Sequence, residues 1–339
     1  MWKRGNFARL FQGFAVLLHY AIVLVGLTGV FGVGALYLLL LNPQIWPLLA
    51  LYLAWVFVDW RTPRQGGRKA AVINFIGALF PFRCMRDYYP ITLVKTADLD
   101  PERNYIFGYH PHGFMPDGLM ISFGTNQLGF EQKFPGISPY IGSHSTFFIA
   151  PLYHEIAMGL RLVDAGSESC RYILTQMGAG HSIALVPGGA AEMLDSCLGD
   201  YILTLNRRKQ FIKMALETGS SLVPVFGFGQ NDSFKIPSFA NYEWLKNYKS
   251  SNTSLLKKWS KLMIKGIVIS FSGKYIPGLP HNNPITVVVG SPIHVKQVTS
   301  PSDEQIDQLH TQYSMEIRRL FENNRNKYGV PSETKLIIQ

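Results

Sequence analysis

From Leu10 to Leu41 the chain carries no charged residue, and Gln12 and His19 are the main polar interruptions. About 20 apolar residues cross a bilayer as a helix, so this run is long enough by itself. "NPQ" follows at 42–44, and a second apolar run, "IWPLLALYLAWVFV", ends at Val58. The second run is short unless it borrows residues from the first around Gly32 or Gly34. A secretory signal fits poorly, because its apolar core spans only about 7–15 residues and precedes a small-residue cleavage site. Residues 1–60 are therefore read as a membrane anchor and residues 61–339 as the body of the protein. Lys3, Arg4 and Arg9 precede the apolar stretch; Arg61, Arg64, Arg68 and Lys69 follow it. Basic flanks on both sides favour a hairpin with both ends in the cytosol. A re-entrant segment is the alternative, and in either arrangement the body faces the cytosol. Asn231 and Asn252 begin N-x-S/T triplets that would be glycosylated if the topology were inverted. Residues 70–82, "AAVINFIGALFPF", lie between Arg68/Lys69 and Arg83/Arg86. They suit either a helix in the head-group plane or a buried helix with polar ends.

Charged residues make up only 16% of the chain, and the formal net charge is +10. Excess positive charge suits phospholipid head groups, nucleic acid or a polyphosphate ligand. The basic residues form no recognisable nucleic-acid module, which argues against the second. Cys84, Cys170 and Cys197 are widely spaced and form no CxxC pair, as expected on a reducing face rather than in a disulfide scaffold.

Beyond residue 90, short β-like runs alternate with helix-like segments. "YIFGY" (105–109), "SIALVP" (182–187), "SLVPVFGFG" (221–229) and "ITVVVG" (285–290) are apolar enough to be strands covered on both faces. "RRKQFIKMALETG" reads as a helix with Gly219 at its C-cap, and Ser302 with Gln305 offers a capping-box start to a long terminal helix. Alternation of this kind predicts one α/β domain with a mixed, mostly parallel sheet and flanking helices, preceded by the membrane hairpin.

There is no G-x-S-x-G elbow, P-loop or complete dinucleotide fingerprint. "HEIAM" (154–158) begins like a zinc-protease helix, but Met158 stands where the second histidine would be, so it is read as structural. The stretch "YIFGYHPHGFMPDG" is different. If "YIFGY" is a buried strand, His110 and His112 sit at its C-terminal end, where open α/β sheets place their active sites. Pro111 fixes φ and withholds a donor, which stiffens the turn. Gly113 permits a backbone conformation or close approach that a side chain would forbid. A stiff turn presenting an imidazole is what general-base catalysis needs. A lone loop histidine more often caps a turn; two flanking a proline and followed by glycine point to chemistry. A His-x-His metal site competes, but no nearby Cys or Glu completes a ligand set. Asp117 lies at H-x4-D spacing from His112, where a carboxylate could fix the ring's tautomer. With no protein nucleophile in view, the base would activate a hydroxyl of the substrate.

"YIFGYHPHG", "FPGISPY", "VPGGAAE", "RRKQFIKMALETGSSLVPVFGFG" and "NPITVVVGSPI" occur in this order. Together they closely resemble the type-2 diacylglycerol acyltransferase family, which includes monoacylglycerol acyltransferases and wax synthases. The resemblance implies an endoplasmic-reticulum membrane enzyme with a cytosolic catalytic domain and lipid-droplet association. It implies acyl transfer from acyl-CoA, as co-substrate, to a neutral glyceride or long-chain alcohol, with no cofactor and no metal. The family's HPHG motif falls on His110, Pro111, His112 and Gly113, with His112 the expected base. Its second element falls on Gly188, Gly189, Ala190 and Glu192. Glu192 by resemblance and Asp117 by spacing are both candidates to orient His112.

Three further expectations follow. Paired glycines let backbone N–H groups approach a ligand, so Gly188 and Gly189 are candidate donors to the thioester oxyanion. Arg207, Arg208 and Lys209 gather cations at a helix N-terminus, the unfavourable end unless an anion joins them. Coenzyme A phosphates would serve, with Lys213 one turn on; a solvated basic face is the bland alternative. "STFFIAPLYHEIAMGL" (145–160) either lines an acyl channel or is ordinary core. The sequence is read as that of an enzyme making triacylglycerol from diacylglycerol by direct transfer, in contact with membrane lipids and with homo-oligomerisation left open. Monoacylglycerol or fatty-alcohol acylation is the alternative, and a membrane-bound lipid hydrolase or a non-catalytic scaffold the remoter rivals.

Overall fold

The computed structural model describes residues 9, 11–20, 41–148, 153–195, 199, 201–234 and 279–339. Most of the first apolar run, Cys197 and Asn252 lie outside the described residues. Residues 11–20 are helical. Then come α1 (Trp46–Val58), α2 (Ala70–Gly77), α3 (Phe80–Tyr88), β1 (Thr92–Lys95), β2 (Tyr105–His110), α4 (Asp117–Phe123) and α5 (Phe130–Lys133). β3 (Ser138–Ser143), α6 (Tyr153–Gly159), β4 (Leu162–Asp164), α7 (Ser167–Gln176), β5 (His181–Leu185) and α8 (Gly189–Asp195) follow. β6 (Ile202–Leu203), α9 (Gln210–Thr218), β7 (Ser221–Phe228), β8 (Thr286–Val289), α10 (Asp303–Asn324) and β9 (Ile337–Ile338) complete the described chain.

Seven strands form one sheet in the order β1-β8-β7-β2-β5-β3-β4. Every pairing is parallel except β7 with β8, so the sheet is mixed and mostly parallel as expected. Side chains alternate across it with period 2 and build one core on each face. Tyr105, Phe107, Tyr109, Val223, Val225, Val287 and Val289 point one way, into a core shared with α3, α4 and residues 16 and 20. Ile106, Leu222, Phe226, Phe228 and Val288 point the other way, against α7, α9 and α10. Strands apolar on both faces are what a helix-covered parallel sheet requires. Ser302 accepts from the Gln305 N–H and the Gln305 side chain answers it, giving the capping box that starts α10. Gly219 closes α9 in the left-handed region at φ +70°.

Of the apolar N-terminal part, residues 9, 11–20 and 41–60 are described. Leu41 and Asn42 are not helical, and a 3-10 turn at Pro43–Ile45 precedes α1; Gly32 and Gly34 lie outside the described residues. α1 has 13 residues, a length of about 20 Å against a hydrocarbon core of about 30 Å. Among the described residues, no helix is long and apolar enough to cross a membrane. Val16 and Tyr20 of the N-terminal helical segment pack into the core of the body.

α1 nevertheless exposes Leu48, Leu51, Phe57 and Val58, and its polar groups tie it to α6. Tyr52 Oη donates to Glu155 at 2.8 Å, and Trp55 Nε1 donates to the same carboxylate at 3.2 Å. Asp59, just past the helix, is buried. It accepts from Arg68 at 2.7 Å, from Thr62 at 2.6 Å and from His154 Nε2 at 2.7 Å. The "HEIAM" histidine is therefore part of a docking joint. Within residues 70–82, Ile73 and Phe82 are buried, while Val72, Phe75 and Phe80 are exposed.

Candidate active site

β2 and β5 run side by side in parallel, with Gly108 opposite Leu185. Their C-terminal ends therefore release two neighbouring loops, 111–116 from β2 and 186–188 from β5. Glu192, buried in the first turn of α8, joins them. Its Oε2 accepts from the main-chain N–H of His112 at 2.8 Å, and its Oε1 accepts from the Thr204 N–H at 3.1 Å. A Cβ at Gly188 would collide with this carboxylate, so the glycine makes room for Glu192.

The His110–Pro111 peptide is cis. Gly113 has φ +64°, and a Cβ there would come within 3.0 Å of Gln230. His112 Nδ1 lies 2.9 Å from the Gly113 carbonyl oxygen. A carbonyl can only accept, so Nδ1 carries the proton and the neutral ring keeps its lone pair at Nε2. The ring is half-buried, and burial holds its pKa below the ordinary 6.5, partly opposed by the Gly113 bond. Such a ring stays neutral at pH 7 with one nitrogen able to take a proton.

The other candidates are placed as follows. His110 is the last residue of β2 and completely buried. Tyr313 Oη donates to the Gly108 carbonyl at 3.1 Å, so His110 Nε2–H donates to Tyr313 Oη at 3.0 Å. A Cβ at Gly108 would strike that hydroxyl. Burial lowers the His110 pKa to about 3. It supports the strand end from the α10 side and does not join His112 in one cleft. Asp117 is buried at the start of α4, where Tyr20 Oη donates to its Oδ2 at 2.5 Å. Burial pushes its pKa up to about 7, against the hydrogen bonds of Tyr20 and Tyr89. The expectation that Asp117 might fix the ring's tautomer does not match this geometry, because the Gly113 carbonyl holds Nδ1 and Asp117 faces Tyr20. Glu192, for its part, holds His112 by the main chain and not by the ring.

The Gly189 N–H donates to the Val186 carbonyl at 3.0 Å, which commits it to the turn and removes it as an oxyanion donor. Gly188 is the member of the pair that remains. Its carbonyl accepts from Arg208 Nη2 at 3.3 Å, which links the basic segment to this turn. Lys209 is the N-cap of α9 and pairs with Asp307 on α10. Arg207 and Lys213 are exposed.

Gln230 was not singled out by the sequence, yet it clamps the far end of the loop. Its Nε2 donates to the Met115 carbonyl at 2.7 Å, while its Oε1 accepts from Tyr109 Oη at 2.7 Å and the Gly118 N–H at 3.0 Å. The one hint was the Phe-Gly-Phe-Gly end of β7 immediately before it.

The family model described as diacylglycerol acyltransferase matches residues 38–339. 2-Acylglycerol O-acyltransferase 3 of Homo sapiens is 39% identical over 88% of this chain and 86% of its own length. Diacylglycerol O-acyltransferase 2 of Danio rerio is 37% identical over 87% of this chain and 80% of its own. The crystal structure of the 1-acyl-sn-glycerophosphate (LPA) acyltransferase of Thermotoga maritima covers 81% of this chain and 95% of that one. It does so at 14% identity and a TM-score of 0.38, too loose a likeness to inform the site. On the match of sequence along nearly the whole chain, the protein belongs to the diacylglycerol acyltransferase family and is an acyltransferase.

Proposed function

We propose that the protein moves a fatty acyl group from acyl-CoA to the free hydroxyl of diacylglycerol, with His112 as the general base. The observation that carries this reading is the His112 ring itself, with Nδ1 engaged by Gly113 and Nε2 left with its lone pair. The acceptor O–H gives its proton to Nε2 as its oxygen attacks the thioester carbonyl. The Gly188 N–H stabilises the oxyanion; the C–S bond then breaks, and the thiolate takes the proton back from Nε2. No acyl-enzyme and no metal enter the scheme. Arg207 and Lys213 are the exposed cations best placed to meet coenzyme A phosphates, since Lys209 already pairs with Asp307. Glu192 and His110 serve as supports of the loop and of the strand behind it.

A 2-acylglycerol acceptor is the second reading, favoured by the similarity to the 2-acylglycerol O-acyltransferase 3 of Homo sapiens. The body would lie on the cytosolic face of the endoplasmic reticulum or on lipid droplets, with the exposed apolar side chains of α1 and α2 toward lipid. Asn231 is buried, so of the two glycosylation triplets Asn252 alone can report topology. The test is a membrane preparation given labelled acyl-CoA with diacylglycerol, 2-acylglycerol or a long-chain alcohol. Labelled triacylglycerol is expected. Diacylglycerol or wax ester as the main product would reassign the acceptor, and free fatty acid alone would overturn the transfer reading.

A further inference from the structure

Asp117 and the N-terminal helix meet directly behind the loop that carries His112. Tyr20 Oη gives its single proton to Asp117 Oδ2 at 2.5 Å, so Tyr89 Oη, 2.5 Å from Tyr20 Oη, is the donor in the second bond. Tyr20 is 3% exposed, and Val16, one turn before it, is completely buried. The Tyr20 ring lies 5.7 Å from that of Phe234, which packs edge-on at 5.2 Å against Phe114, two residues beyond His112. The same helix leaves Phe11, Phe14 and Leu18 exposed. One short helix thus shows an apolar face outward and sets a hydroxyl into the core of the active-site support.

The loop is held at three points. Glu192 takes the His112 N–H at its near end, Gln230 takes Met115 and Gly118 at its far end, and Tyr20 takes the Asp117 carboxylate between these last two. Two of these clamps come from the sheet's own connections, whereas Tyr20 comes from the apolar N-terminal segment. We propose that Tyr20 is a positioning residue for acyl transfer. Through its bond to Asp117, the N-terminal helix holds the start of α4, and with it the His112 loop, in the geometry that meets substrate. Catalysis then depends on that helix being seated on the body. The proposal rests on the reading of His112 as the base.

The test uses the full chain in membranes, with kcat and the KM for acyl-CoA measured for Tyr20→Phe, Asp117→Leu, Asp117→Asn and the Tyr20→Phe/Asp117→Leu double variant. Loss of this buried hydrogen bond should lower kcat about tenfold in Tyr20→Phe. The KM for acyl-CoA should stay within about twofold, as expected when an interaction acts on the transition state alone. The double variant should be no slower than the slower single, because both remove the same bond. Asp117→Asn, which keeps an acceptor, should be faster than Asp117→Leu. Amide exchange of residues 112–118 should quicken in Tyr20→Phe while β2, β5 and β7 stay protected, and Leu18→Ala on the exposed face should keep its kcat. Unchanged kcat in Tyr20→Phe, multiplying losses in the double variant, or exchange quickened across the whole sheet would each overturn the proposal. His112→Ala in the same assay separates the two ideas. Normal transfer there removes the base, whereas a dead His112→Ala beside a normal Tyr20→Phe removes only the coupling.

Discussion

The turn after β2 and the helix α6 each hold a histidine, and the two are built in opposite ways. His154 has both ring nitrogens engaged, Nδ1 with the Phe148 carbonyl at 2.8 Å and Nε2 with Asp59 at 2.7 Å. Both partners accept, so neither nitrogen is left to take a proton from a substrate, and the ring works as a post between α1 and α6. His112 has one nitrogen engaged by a carbonyl, and its carboxylate, Glu192, is placed on the main chain instead. The difference shows how a carboxylate can serve either use. Set on the ring, it locks the imidazole; set on the backbone, it fixes where the ring stands and leaves a lone pair free.

The sharpest way to break this comparison is to delete each ring in turn. His112→Ala should lower the transfer rate by about 10²–10⁴, roughly 3–5 kcal/mol, with membrane association and thermal stability kept. Asp59→Ala should do the reverse. Arg68 and His154 lose a buried partner, at a cost of about 3 kcal/mol in folding stability read by denaturation in detergent. The rate per folded molecule should hold. Equal activity losses at both sites would erase the distinction.

Two smaller effects sharpen it. Glu192→Gln keeps the shape but has one acceptor oxygen for two main-chain donors, so kcat should fall about tenfold, with the remainder of the loss visible as faster exchange at His112 and Thr204. The pH dependence should be milder still. Burial lowers the His112 pKa, and a ring acting as the base must be neutral to take the proton. The rate should therefore be level near neutrality and fall only as pH drops through a value below 6.5, the ordinary value of the ring. Burial pushes the Asp117 pKa up to about 7, so the same profile taken with Asp117→Asn separates its contribution from that of His112. An acid limb centred above 6.5 in both proteins would place the titrating base elsewhere.

Much of this could be read from residue order. The four β-like apolar runs beyond residue 90 became β2, β5, β7 and β8, because strands buried on both faces must be apolar throughout. Even the burial of His110 follows from alternation, since it shares a face with Ile106 and Gly108 and so points at α10. β3, with its proline and glycine, and the three-residue β4 gave no such pattern and gain their place from pairing alone. What residue order could not show were contacts set by register. Glu192 reaches His112 because β2 and β5 stand in parallel, with β5 ending opposite Gly108. Gln230 reaches Met115 across 115 residues of chain. H-x4-D spacing suggested a ring partner for Asp117, but the turn carries that carboxylate away from the imidazole and toward Tyr20.

The most direct measurement of whether His112 is the base is single-turnover acyl transfer by wild type and His112→Ala between pH 5 and pH 8. If it is, the wild type loses rate on the acid side, and the variant is slower by about two to four orders of magnitude and flat with pH. A variant that transfers at near wild-type speed with the acid limb intact would contradict it.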